Sequence, residues 1–121
     1  MKTHKDLQVW NNSIELVKII YRITNEFPSN EIYCLTNQIR RAIISIPSNI
    51  AEGAGRHSRK EFVRFLQIAM GSLSELETQL IISENLGYLQ KNILEDLINK
   101  MNLIRAQLIG LIKYLKTVRK I

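Results

Sequence analysis

Residues 37–53 read NQIRRAIISIPSNIAEG and carry the clearest structural pattern in this chain. Apolar side chains recur here at intervals of three or four, which is the spacing of a helix with one buried face. Together with the preceding leucine, the face consists of Leu35, Ile39, Ala42, Ile43, Ile46 and Ile50. Pro47 lies inside the pattern, where it removes a backbone donor and crowds the carbonyl of Ile43. The sequence therefore predicts a helix over residues 30–54 that kinks at Pro47.

Similar periodicity predicts three more helices, over residues 4–26, 59–86 and 91–119. The first carries a seam of Leu7, Trp10, Ile14, Val17, Tyr21 and Thr24, the third one of Phe62, Leu66, Ala69, Leu73, Leu76 and Leu80, and the fourth one of Leu94, Leu97, Met101, Ile104, Leu108, Leu111, Leu115 and Val118. Between the second and third helices, Gly53 and Gly55 permit the left-handed backbone that ends helices. Ser58 and Glu61 then have the spacing of a capping box.

The predicted fold is all-α, with residues 1–121 forming a single domain. A chain of 121 residues can bury one core, and its 45% apolar and 23% charged residues are typical of globular proteins. Four long helices with short connections indicate an antiparallel, up-down-up-down four-helix bundle.

The second helix and the stretch that follows it up to Glu61 contain a signature formed by Pro47, Ser48, Asn49, Glu52 and Gly53. This signature resembles that of the four-helix-bundle family of 23S rRNA intervening-sequence proteins, which is related to the accessory protein of diversity-generating retroelements. The resemblance covers nearly the whole chain and implies a ring of five subunits. This chain has Cys34 where the family commonly has glycine, and Ile43 and Ile44 where smaller residues are common, which affects local packing more than the fold.

Two apolar rows lie beside the predicted seams. The first helix has Val9, Leu16, Ile20, Ile23 and Phe27, and the fourth has Ile93, Ile98, Ile109, Ile112 and Tyr114. One explanation is a wide buried face on a helix lodged between two neighbours. The other is self-association, because large exposed apolar patches mark interfaces. The two explanations are compatible, and the sequence favours a homo-oligomer, with a pentamer implied by the resemblance.

The net charge of +6 is concentrated in two segments. The first surrounds the turn between the second and third helices and the other lies near the C-terminus: Arg40, Arg41, Arg56, Arg59, Lys60 and Arg64, then Lys113, Lys116, Arg119 and Lys120. Clustered cations suit a phosphate backbone, since neutralising it releases counterions. Aromatic residues are few and lie mainly in the seams, so stacking platforms for single strands are not expected. Alternatively, the charge serves solubility, or Arg40 or Arg41 pairs with Glu52 or a neighbouring subunit.

The polar residues of the signature have two interpretations. Arg41, Ser45, Ser48 or Asn49, and Glu52 share one side of the second helix, where Ser and Asn can satisfy carbonyls freed by Pro47. The alternative is a ligand or nucleic-acid surface formed by Arg40, Arg41, Ser48, Asn49 and Glu52.

Catalysis, metal binding and cofactors are not expected. Neither His4 nor His57 follows a glutamate by three residues, as a di-iron bundle requires. Cys34 lacks a recognisable histidine partner and is predicted to be a small buried residue. The N-terminus does not resemble a signal peptide and no long apolar run occurs, so we expect a cytoplasmic protein without a membrane span.

These observations predict a non-enzymatic, oligomeric helical bundle that binds nucleic acid, either structured RNA or an RNA–protein complex, through a basic surface. The alternative is a protein-interaction scaffold with an unknown partner, in which the basic charge is incidental. Ionic strength separates the two, because only nucleic-acid affinity falls steeply with salt.

Overall fold

The computed structural model describes residues 2–117, which form four α-helices and contain no β-strand. The helices are α1 (Gln8–Thr24), α2 (Leu35–Ala54), α3 (Arg59–Asn85) and α4 (Lys91–Thr117). Two short 3-10 turns, His4–Asp6 and Ser29–Glu31, precede α1 and α2. The all-α class and the number of helices are therefore confirmed, and the architecture is a four-helix bundle. No helix among these residues combines the length and apolar character needed to cross a membrane.

The first two helices begin later than the sequence pattern predicts. Residues 4–6 form a separate turn, in which Thr3 accepts a bond from the Lys5 amide and Asp6 accepts one from the Thr3 amide. The extended backbone of Leu7 (φ −85°, ψ 126°) then separates this turn from α1. Before α2, the non-helical backbone of Cys34 (φ −123°, ψ −105°) has the same effect. Apolar spacing continues across the second break, from Ile32 to Leu35, and therefore did not reveal it. Residues 4–6 carry no apolar side chain, so the predicted start at residue 4 extended beyond the apolar seam, which begins at Leu7.

The core lies between the facing sides of all four helices. The α2–α3 pair packs most extensively, while α1 contacts α2 and α4, and α3 contacts α4. The largest completely buried side chains are Leu16, Ile20, Ile39, Ile43, Ile46, Ile50, Leu66, Leu73, Leu76, Leu80, Leu97 and Met101. The predicted seams of α2, α3 and the first part of α4 therefore form the core.

In α1 the two apolar rows have exchanged their predicted roles. Leu16 and Ile20, assigned to the surplus row, are completely buried, whereas the seam residues Trp10, Ile14 and Val17 are half-buried. This helix contacts both α2 and α4 and therefore needs a wide apolar face. The surplus row of α4 differs, since Ile93, Ile109 and Tyr114 remain exposed.

The α2–α3 connection does not use its glycines as predicted. Gly53 lies inside α2 and is buried against α3, where an added Cβ would be 2.8 Å from the Cβ of Phe65. Gly55 has an ordinary φ of −80°, and the left-handed residue of this connection is His57, with φ 57°. Ser58 caps α3 as predicted by accepting a hydrogen bond from the Glu61 amide at 3.2 Å. Close approach of two helices, rather than backbone freedom, therefore requires glycine at position 53.

The α3–α4 turn is tied to the segment between α1 and α2. Gly87 has φ 83°, and the amide of Tyr88 donates to the Ser83 carbonyl at 2.9 Å, which completes a Schellman motif. The Tyr88 hydroxyl donates to Glu31 at 2.8 Å, and its ring lies 5.6 Å from that of Phe27. This end of the bundle is thereby closed by side chains distant in sequence.

The Tyr88 hydrogen bond gives a prediction about alkaline stability. Its bond to Glu31, followed by burial and the Glu31 charge, raises the pKa of Tyr88 above the ordinary value of 10.0. Folding therefore favours the protonated phenol, and this contribution is present below pH 10 and lost as the pH rises through the folded-state pKa. Chemical denaturation of wild type and Tyr88→Phe should show a stability difference at pH 7 that shrinks at pH 11. A difference that is constant with pH would contradict this role of the bond.

Candidate nucleic-acid interface

Four exposed cations surround the connection from α2 to α3. We call this set, Arg56, Arg59, Lys60 and Arg64, the basic turn. The Ser58 cap begins α3 at Arg59, so three of the four cations project from the first two turns of a regular helix. Their backbone positions are thus set by helical hydrogen bonds rather than by a long loop.

Two arginines of the basic turn lie against one phenylalanine. The guanidinium carbons of Arg56 and Arg64 lie 5.0 and 5.1 Å from the centre of the Phe65 ring. Each also has a carboxylate partner, with Arg56 2.9 Å from Glu52 and Arg64 3.6 Å from Glu61. All four charged side chains are about half exposed, so these pairs contribute little, and either arginine can exchange its carboxylate for another anion. The partner of Glu52 is therefore Arg56, not Arg40 or Arg41.

The other two cations of the basic turn have no such partner. Within residues 2–117, neither Arg59 nor Lys60 forms a salt bridge or a side-chain hydrogen bond. Their charges are consequently available to an anion without first breaking an internal contact.

Arg40 has a structural role, although the sequence placed it among the nucleic-acid-binding residues. It donates to Thr24 Oγ1 and Asn25 Oδ1, both at 2.9 Å, and to the Tyr21 carbonyl at 3.4 Å. Its guanidinium also lies 4.5 Å from the centre of the Tyr21 ring. Arg40 therefore joins α2 to the C-terminal end of α1, where unpaired helix carbonyls attract cations.

Arg41 is exposed but lies far from the basic turn. The end of α2 at Ala54 comes thirteen residues after Arg41, which corresponds to about 20 Å along the helix, and Arg56 lies beyond that end. It lines a groove of about 590 Å³ together with residues from the end of α1 and the segment before α2. The structure thus separates the predicted first segment into a structural arginine, a groove arginine and the basic turn.

The second predicted basic segment is only partly described. Lys113 and Lys116 are exposed on the last turns of α4, whereas Arg119 and Lys120 lie outside the described residues. Near this part of α4, Gln107 accepts a hydrogen bond at 3.0 Å from Asn12, in the first half of α1.

The polar signature residues support the backbone of α2. Asn49 donates to the Ser45 carbonyl at 2.7 Å and contacts its hydroxyl at 2.9 Å. The Ser45 hydroxyl lies 2.7 Å from that of Ser72 on α3. Helix α2 continues through the buried Pro47, while Ser48 remains exposed. Asn49 therefore bonds the carbonyl four residues before it in the same helix, and not the Ile43 carbonyl that Pro47 leaves without an amide donor.

Cys34 is exposed, so its predicted burial is wrong. It occupies the N-cap of α2 and not the core-facing side of a helix, because α2 begins one residue later. Among residues 2–117, no three His, Cys, Asp or Glu side chains come close enough together to hold a metal ion.

Two aromatic residues near these cations were not identified from sequence. Phe65 lies between two arginines of the basic turn, and Tyr33 lines the groove with 89% of its surface exposed. Tyr33 precedes α2 outside any apolar period, which was the available signal that its ring does not belong to the core.

Comparisons with known proteins agree with this architecture. The model of the family described as 23S rRNA-intervening sequence protein matches residues 5–110. A crystal structure from Bacteroides thetaiotaomicron, of a protein with unknown function from the S23 ribosomal protein family, is similar with 27% sequence identity and a TM-score of 0.80. The match covers 87% of this chain and 95% of that chain. No curated protein matches the sequence. The chain belongs to the 23S rRNA-intervening sequence protein family.

Proposed function

We propose that this protein is a non-enzymatic, oligomeric helical bundle that binds structured RNA, alone or within an RNA–protein complex, through a basic surface at one end. The observation that carries the proposal is the basic turn, where four exposed cations extend from a capped helix start. Arginine forms bidentate hydrogen bonds with phosphate, and a fixed helical backbone reduces the entropy lost when those bonds form.

We also propose that the four helices alternate in direction. Arg40, early in α2, contacts Thr24 at the end of α1, and Gly53, late in α2, packs near Phe62 at the start of α3. Asn12, early in α1, binds Gln107 in the second half of α4. This arrangement places Lys113 and Lys116 at the same end of the bundle as the basic turn.

The two ends of such a bundle differ in charge. The end with the basic turn, which also holds the start of α1, has eight cations and three carboxylates: Lys2, Lys5, Arg56, Arg59, Lys60, Arg64, Lys113 and Lys116 against Asp6, Glu52 and Glu61. The opposite end, around residues 22–41 and 84–96, has five carboxylates and four cations: Glu26, Glu31, Glu84, Glu95 and Asp96 against Arg22, Arg40, Arg41 and Lys91. Such a separation of charge orients the molecule toward a polyanion before contact. The phosphate backbone, rather than base edges, is the feature that these cations recognise.

The proposal includes assembly and location. Seven large apolar side chains remain exposed on α3 and α4: Ile68, Ile81, Ile82, Ile93, Leu103, Ile109 and Tyr114. Contact between copies would cover such residues, and the family resemblance favours five copies in a ring. Five copies would carry roughly thirty positive charges net, which strengthens attraction to RNA.

We place the assembly in the cytoplasm. Within each copy, we expect Pro47 to kink α2.

These exposed side chains also support the second candidate function, a protein-interaction scaffold. In that case a protein partner covers the apolar surface of α3 and α4, and the basic turn contributes only solubility. Binding to such a partner would persist as salt rises, whereas RNA binding would weaken steeply.

The test compares the RNA affinity of a variant that lacks the four cations of the basic turn with that of a variant that lacks four cations elsewhere. One variant replaces Arg56, Arg59, Lys60 and Arg64 with Ala. The control replaces four exposed cations outside this surface: Lys18, Arg22, Lys91 and Lys100. Fluorescence anisotropy with a 20-base-pair RNA hairpin should show affinity at least about 100-fold weaker for the first variant, and a salt slope smaller by about 3. The control variant should lose much less affinity for the hairpin.

Light scattering should give the same mass for wild type and both variants, because none of the changed residues belongs to the core. Unchanged RNA binding in the basic-turn variant, or an equal loss in the control, would overturn the proposed interface. Wild-type protein that does not bind the hairpin at low salt would leave the scaffold as the better account.

A further inference from the structure

A second surface suited to nucleic acid lies away from the basic turn. The groove of about 590 Å³ runs along the first half of α2, between the end of α1 and the segment before α2. Its lining includes Tyr33, Asn37, Arg41 and Ile44, and no carboxylate. It is largely apolar with a few polar groups at its wall, as ligand-binding grooves commonly are.

Tyr33 provides an aromatic surface that the fold does not use for packing. Its side chain is 89% exposed. Tyr21, which also lines the groove, is half-buried. Ile32 and Ile44 are 50% and 42% exposed and extend the apolar surface on which a flat ring can rest. Exposed aromatic rings of this kind stack on nucleobases without regard to base identity.

Arg41 provides the charge. Within residues 2–117 its guanidinium forms no salt bridge, and Asn37 contributes an amide one helical turn before it. The neighbouring Arg40 is held by its bonds to Thr24 and Asn25, which makes one wall of the groove rigid. The first turn of α2 contains no acidic residue, and Cys34 forms no side-chain cap. The nearest carboxylate at this helix start is that of Glu31, which accepts a hydrogen bond from the Leu35 amide at 3.3 Å.

We propose that this groove binds one unpaired nucleotide of an RNA strand, with its base stacked on Tyr33 and its phosphate paired with Arg41. The inference rests on the proposed RNA-binding function and adds a second contact to it. A stacking ring, an unpaired guanidinium and an amide match the base, phosphate and polar edge of one nucleotide. The absence of carboxylates from the groove lining disfavours a basic peptide as occupant.

The distance between the two surfaces defines the RNA that reaches both. Arg41 lies about 20 Å along α2 from the helix end beside Arg56, a distance that stacked nucleotides at about 3.4 Å each would span in about six steps. A duplex at the basic turn therefore needs a single-stranded extension of roughly seven or more nucleotides to enter the groove. The preferred ligand is a hairpin with such an extension.

The test uses three probes: a blunt 20-base-pair RNA hairpin, the same hairpin with ten unpaired uridines at its 5′ end, and the same hairpin with ten unpaired uridines at its 3′ end. Wild-type protein should bind one extended probe roughly tenfold more tightly than the blunt one. Tyr33→Ala and Arg41→Ala should each remove that gain and leave blunt-hairpin binding unchanged. Tyr33→Phe, which keeps the ring, should retain the gain.

The control is Tyr114→Ala, which removes a 61% exposed tyrosine that does not line the groove and should not change the gain. Equal binding of blunt and extended probes by wild type would overturn the groove assignment while leaving the basic turn intact. If wild-type protein does not bind the blunt hairpin, the proposed function itself is overturned. If Tyr33→Ala lowers the mass measured by light scattering, a second copy of the chain occupies the groove and the inference is wrong.

Discussion

Replacing Gly53 with Ala should destabilise the protein by about 2 kcal/mol, even though alanine is the better helix former. The added Cβ would lie 2.8 Å from Phe65 Cβ and 3.0 Å from Phe62 Cδ1. The first contact is with an atom fixed to the backbone of α3, so the two helices must move apart. Overpacking costs about 1–3 kcal/mol, and a 2.8 Å contact with an atom fixed to the backbone belongs at the upper end of that range. About 2 kcal/mol therefore remains after the helix-propensity gain of about 1 kcal/mol. The melting temperature should fall by about 8 °C.

Gly71 supplies the matched control for this substitution. It lies on the exposed side of α3, and an added Cβ would meet no atom within 4 Å. Gly71→Ala should therefore raise stability by about 0.5–1 kcal/mol through reduced backbone entropy of the unfolded chain. Urea denaturation of both variants measures the difference in sign. Two stabilised variants would mean that α2 and α3 are not pressed together at Gly53.

Replacing Arg40 with Ala should cost about 2 kcal/mol of stability and have little effect on RNA binding by the basic turn. The change removes three hydrogen bonds to the end of α1 and the contact with the Tyr21 ring. Hydrogen bonds from a charged donor contribute about 1.5–3 kcal/mol when shielded, and the half-buried position of Arg40 reduces this. Arg40→Lys should lose less stability than Arg40→Ala but more than none, because an ammonium group cannot stack on Tyr21 while also reaching Thr24 and Asn25.

The neighbouring Arg41 is the control for Arg40. Both substitutions to Ala remove one positive charge from the same turn of α2, but only Arg40 joins α2 to α1. Arg41→Ala should leave the urea midpoint nearly unchanged while weakening binding of the extended hairpin. Equal stability of the two variants would contradict the structural role of Arg40 and return it to the exposed basic surface.

These two predictions separate the parts of the NQIRRAIISIPSNIAEG stretch that serve the fold from those available for binding. Arg40 bonds α2 to the end of α1, Gly53 lets α2 approach α3 closely, and Asn49 bonds Ser45 within α2. Arg41 and Ser48 are exposed on the same helix. A pattern shared with a family therefore does not by itself identify a binding surface, because packing between helices accounts for much of it.

The four helices, the core-facing residues of α2, α3 and most of α4, and the Ser58 cap were predictable from the amino-acid sequence. Each depends on interactions within about four residues, which periodicity and capping preferences report directly. The family was predictable for a related reason, since its signature is a contiguous stretch around Pro47. The break at Cys34 was not predictable, because apolar spacing continues across it from Ile32 to Leu35. The late start of α1 had a signal, since residues 4–6 carry no apolar side chain.

The roles of individual side chains at the candidate sites depended on contacts between helices. The two rows of α1 are equally apolar in sequence, and the positions of α2 and α4 determine which row is buried. Arg40 and Arg41 are adjacent and chemically identical, yet one faces the end of α1 and the other faces solvent. The apolar pattern of one helix describes that helix's own surface, but it does not report how the neighbouring helices are rotated and aligned against it. The packing of the helices places Phe65 between two arginines and leaves Tyr33 exposed.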